Sequence, residues 1–133
     1  MKRIISALLL TAAMYCTAGA QQQKPEWVTI KSANLKCWEC KDRLEKFLLK
    51  EKGLTNSGIA GWKINLLQGE IRVQYLPNLI TPEAVRITLN NAGFDADEEK
   101  AEPDAYKKLP PACKRAEDGG GPQKGKSCHV PPL

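Results

Sequence analysis

The chain has 133 residues, with 20 lysines and arginines against 15 aspartates and glutamates, a formal net charge of +5. That length supports one small domain, and so mild a charge, without a clustered basic stripe or an interleaved aromatic platform, argues against nucleic-acid binding. Five cysteines are the residues that call for an explanation.

Residues 1–20 read as a targeting segment. Lys2-Arg3 form a basic start, Ile4 to Met14 an apolar run, and Ala18-Gly19-Ala20 a small-residue cleavage site, which makes Gln21 the new N-terminus. The expected product is exported, periplasmic or secreted. The apolar run is too short to span a bilayer and no later stretch is long enough, so no stable membrane insertion is expected. Cys16 raises a lipoprotein alternative, which the bulky Tyr15 before it disfavours. Setting Lys2 and Arg3 aside leaves 18 basic residues against 15 acidic ones. Cys37, Cys40, Cys113 and Cys128 remain, an even set that in an exported protein first suggests disulfides.

Trp27-Val28-Thr29-Ile30-Lys31 has the β-branched, alternating character of a strand. From Cys40, the residues Leu44, Phe47 and Leu48 continue at helical spacing, with Lys41, Arg43, Glu45 and Lys46 on the other face, and Gly53 ends the helix. Trp62, Ile64 and Leu66 alternate with polar residues, as do Ile71, Val73 and Tyr75, and Leu67-Gln68-Gly69-Glu70 suits a hairpin between them. Thr81 can cap a second helix with Pro82 in its first turn; Val85, Leu89 and Ala92 share one face, and Gly93 suits its C-terminus. Phe94 to Asp97 begins a last, acidic extended segment. The order strand, helix, strand, strand, helix, strand predicts an α+β fold: a ferredoxin-like βαββαβ sandwich with two helices on one face of an antiparallel sheet. The domain is placed at residues 21–99 and an irregular, flexible tail at 100–133, with a short helix near Asp104–Leu109 ended by Pro110-Pro111.

Cys37 and Cys40 form a C-x-x-C where the first strand gives way to the first helix. The positive end of a helix dipole lowers thiol pKa, and thiolates serve either a soft metal ion or disulfide exchange. Three readings follow: a soft-metal site, a redox dithiol, or an inert disulfide in a protein-interaction module. Cys113 has two: a third thiolate beside Cys37 and Cys40, or a Cys113–Cys128 disulfide. About sixteen residues separate it from Asp97, enough chain at roughly 3.3 Å per residue to return across a small sheet. No nucleophile–base pair, carboxylate dyad or phosphate loop is apparent, so an enzyme is not expected.

The residues Leu35-Lys36-Cys37-Trp38-Glu39-Cys40, Asn65 to Tyr75, Ile80-Thr81-Pro82-Glu83 and Ala92-Gly93-Phe94-Asp95-Ala96 together resemble the heavy-metal-associated domain, a family that includes copper chaperones and mercury-binding periplasmic proteins. The resemblance spans roughly Trp27 to Glu99. It implies binding of Cu(I), or of Hg(II), Zn(II) or Cd(II), by Cys37 and Cys40. It also implies transfer to a thiol-bearing partner such as a metal-transporting ATPase or another metal carrier. It further implies that Leu35, Trp38 and Phe94 lie near the metal and shield it. Two departures stand out: Asn34-Leu35 replaces the family's Gly-Met, and Trp38-Glu39 is bulky and acidic where the family is small.

Overall fold

The computed structural model describes residues 23–122. β1 (Glu26–Lys31) is followed by α1 (Trp38–Gly53), β2 (Ile59–Asn65), β3 (Glu70–Tyr75), α2 (Pro82–Asn91) and α3 (Pro103–Lys107). Two 3-10 turns follow, Pro111–Cys113 and Ala116–Asp118. β3 is the central strand and pairs antiparallel with both neighbours, giving the order β1-β3-β2. Val28 lies opposite Val73 and Ile30 opposite Ile71, while Trp62 and Ile64 of β2 meet the same two residues from the other side. Strand alternation therefore gathers Ile30, Ile71, Val73 and Tyr75 on one buried face. The opposite face carries Trp27, with the Arg72 guanidinium 5.1 Å and the Lys63 ammonium 5.7 Å from its ring centre.

Both helices cover the buried face. Cys40, Leu44 and Leu48, one turn apart, are the buried stripe of α1, and Val85 and Leu89 are that of α2. They join the sheet residues, Leu35 and Phe94 in one core, where each wholly buried aliphatic side chain contributes about 1.5–3 kcal/mol. α1 carries Glu39 in its first turn and Lys50 and Lys52 in its last, matching its dipole. α2 starts as its sequence suggests, with the Thr81 hydroxyl accepting from the Ala84 N–H at 3.2 Å and Pro82 in the first turn. It gives way at Gly93, whose φ of +98° is left-handed.

The α+β class and the ferredoxin-like placement of three strands and two helices agree with the expectation. The fourth strand does not form among the described residues. Among them Asp97 reaches the free edge of β1, donating its N–H to the Lys31 carbonyl at 2.7 Å and accepting the Lys31 N–H on Oδ1 at 3.0 Å. The reason is local: Asp97 has φ +54°, and a bridge between Ala96 and Glu99 turns the chain before a ladder can extend. The segment expected as a flexible tail also differs over its described part. Residues 100–122 fold back on the domain, burying Ala101, Leu109 and Cys113.

Candidate metal centre

Cys37 is the residue that opens α1. Its backbone is extended, its carbonyl accepts the Lys41 N–H at 3.0 Å, and its side chain caps no N–H of the first turn. Cys40 sits one turn inside the helix on the core stripe. The third cysteine comes from the far end of the chain: the turn Pro111–Cys113 packs on α1 and delivers Cys113 to Cys40. Cys37, Cys40 and Cys113 are each fully buried.

Cys113 and Cys40 form a disulfide across 73 residues of sequence, with Cα atoms 5.5 Å apart. Of the two readings of Cys113, the Cys113–Cys128 pairing is thereby corrected: the docked tail sets Cys113 on α1, and Cys40 takes its sulfur. Cys128 and His129 lie outside the described residues. Cys37 is disulfide-bonded as well, and its sulfur lies 3.8 Å from the Ala112 carbonyl oxygen, next to Cys113. Neither member of the C-x-x-C is thus a thiolate in this oxidised form. In it, no group of three or more His, Cys, Asp or Glu side chains among the described residues is arranged to hold a metal ion.

The expected shielding residues separate. Leu35 and Phe94 are wholly buried, whereas Trp38 is 49% exposed on the outer side of the first helical turn. A ring so exposed stands outside the core in which Leu35 and Phe94 pack.

What holds the tail over the cysteines is a polar network. Asn34, 1% exposed, donates through Nδ2 to the carbonyls of Gly93 at 3.1 Å and Cys113 at 2.9 Å, and its Oδ1 accepts the Asp95 N–H at 2.9 Å. Asp95, also buried, accepts from the Ala101 N–H at 2.8 Å and from both Nε and Nη2 of Arg115, at 2.6 and 2.5 Å. The Arg115 N–H donates to the Tyr106 hydroxyl at 2.8 Å, and its guanidinium stacks 4.2 Å from that ring's centre. Burial pushes the Asp95 carboxyl up, but the Arg115 and Ala101 hydrogen bonds and the guanidinium charge outweigh it, so the group lies below the usual carboxylate range. The same bonds raise Arg115.

No family model matches the chain, and no curated protein matches it. Among solved structures, a copper-binding domain from HMA7, a P-type ATPase, has 23% sequence identity and a TM-score of 0.47, covering 56% of this chain and 92% of that domain.

Asn34, Asp95, Tyr106 and Arg115 were not singled out by sequence reasoning as parts of the site. Asn34 gave a faint signal, as a side chain able both to donate and to accept hydrogen bonds directly before Leu35. Asp95 and Arg115 gave none: each reads as one charge among many on a mixed surface, and only the fold brings them together.

Proposed function

We propose that this protein, once reduced, binds a soft metal ion through Cys37 and Cys40 and passes it to a thiol-bearing partner, acting as a carrier rather than an enzyme. The observation that carries the reading is the position of the two sulfurs. Both lie at the start of α1, where first-turn N–H groups lack a side-chain cap and the helix dipole favours thiolate over thiol. The donor set is all sulfur, which suits monovalent copper first and mercury, zinc or cadmium after it. A metal-transporting ATPase or another thiol-bearing carrier would suit as partner. A disulfide as well buried as Cys40–Cys113 fits an exported protein in an oxidising compartment. Metal uptake would then follow reduction, with loss of the thiol protons.

The experiment is an anaerobic competition titration of the reduced chain with monovalent copper and a chromophoric chelator, beside Cys37→Ser/Cys40→Ser. One tightly held ion per chain, lost in the double variant, is the expected result. Equal competition by the two proteins would remove the copper reading.

The Cys40–Cys113 bond itself favours one rival, a thiol–disulfide redox protein that uses these cysteines without metal. That reading requires the oxidised protein to exchange its disulfide with a substrate dithiol at a useful rate. Its complete burial argues for slow exchange, because an attacking thiolate must reach the sulfur.

A further inference from the structure

Resting on the metal-binding reading, we infer that the reduced site is a three-thiolate centre, Cys37, Cys40 and Cys113, with the tail as its built-in third arm. The argument concerns what remains when the disulfide is gone. Reduction adds two electrons and two protons to the Cys40–Cys113 bond, drawn from an external dithiol that closes to its own disulfide. A second equivalent of the dithiol, with two more electrons and two more protons, opens the bond of Cys37 in the same way.

Beside the sulfur contacts, the tail is seated by polar and apolar contacts that do not involve sulfur. Asn34 still holds the Cys113 carbonyl at 2.9 Å, Asp95 still grips Arg115 through two hydrogen bonds, and the Glu102 N–H still donates to the Asn90 carbonyl at 3.0 Å. Leu109 stays buried in the core. The Arg115–Asp95 pair is only 13% and 3% exposed, so it is screened little by salt. It stands two residues beyond Cys113 and fixes the tail directly beside the sulfur.

Reduction therefore leaves Cys113 docked at the start of α1 rather than released. Cys113 remains at a Cα distance of 5.5 Å from Cys40. Cys37 remains beside Ala112, 3.8 Å from its carbonyl. Three soft donors carried by a helix start and a fixed turn suit trigonal monovalent copper or divalent mercury, with three thiol protons released on binding. A third ligand also fills the side from which a partner's thiol would enter, so exchange requires the tail to lift.

The test is X-ray absorption at the copper edge on the chain that begins at Gln21, with the targeting segment removed. The protein is reduced with a dithiol, freed of it anaerobically and loaded with one equivalent of monovalent copper. Three sulfur neighbours are expected in the wild type and in Cys128→Ser, and two in Cys113→Ser, with at least a tenfold loss of affinity in competition. Arg115→Ala keeps every sulfur, and it too should lose affinity, because the metal must then dock the tail itself. Two sulfurs in the wild type, or three in Cys113→Ser, overturns the inference and leaves the two-cysteine site standing. Unchanged affinity in both Cys113→Ser and Arg115→Ala does the same. A wild type that retains no copper overturns both readings.

Discussion

Arg115 and Asp95 show how much rests on single side chains here. Asp95 is 2% exposed, and its charge is tolerated because Arg115 answers it with two hydrogen bonds. Removing one partner of a buried pair leaves the other uncompensated, which costs about 3–5 kcal/mol. Arg115→Ala should lose stability of that order in urea unfolding, and Arg115→Lys should recover only part of it, since an ammonium does not reproduce the fork. Asn34→Ala orphans the Asp95 N–H and the Gly93 and Cys113 carbonyls, at about 1–3 kcal/mol for each group left unsatisfied. Asp95 also sets a pH dependence. Its folded pKa is lowered, so its contribution is complete above the unfolded value of about 4 and disappears as pH falls through the lower folded value. Hydrogen exchange of residues 101–115 in the reduced protein should be flat, after correction for intrinsic rates, from neutral pH to about 5, and protection should fall once pH drops below about 4. A loss beginning on the alkaline side would contradict that assignment.

Among the elements, the tail meets the domain most closely at the end of α2. Gly93 has φ +98°, and a Cβ there would stand 3.0 Å from the Ala105 carbonyl and 3.1 Å from the Leu109 side chain. Gly93→Ala should therefore suffer twice, from a left-handed backbone worth about 1–2 kcal/mol and from the push against α3. A drop in melting temperature of at least about 4–8 °C is expected for a domain of this size. Elements were well marked in the sequence where their signals are local. The alternation of Trp62, Ile64 and Leu66, the Thr81-Pro82 start and the Gly93 stop each depend on neighbours in the chain, and each was legible. The missing fourth strand was not. Phe94 to Asp97 has the place of a strand, yet Asp95 is committed to Arg115 twenty residues on and Asp97 turns left-handed. Neither commitment leaves a mark in the segment itself. The C-x-x-C and its helix start were readable for the same local reason. The partner of Cys40 was not, because four cysteines allow three pairings and the choice lies in how Pro103 to Cys113 packs.

At the scale of the whole molecule, the Cys40–Cys113 bond closes most of the domain into a loop of 73 residues in sequence separation. In the chain-entropy model, a loop of that length stabilises by about 4 kcal/mol. Reduction should lower the melting temperature yet leave a cooperative transition, because core and polar network persist without the bond. A reduced protein without a cooperative transition would show that the disulfide holds the tail alone. The same geometry sets the pace of metal exchange. With all three cysteines buried, transfer to a competing thiol should be slow in the wild type and faster in Arg115→Ala, whose tail is less firmly held; stopped-flow chelation would give the ratio.

The central claim is that these sulfurs carry metal only when reduced, and one preparation titrated in both redox states tests it most directly. With monovalent copper and a competing chelator under anaerobic conditions, the reduced protein should withdraw one ion per chain and the oxidised protein none. Equal withdrawal by both forms would place the copper elsewhere, and none by either would end the carrier account.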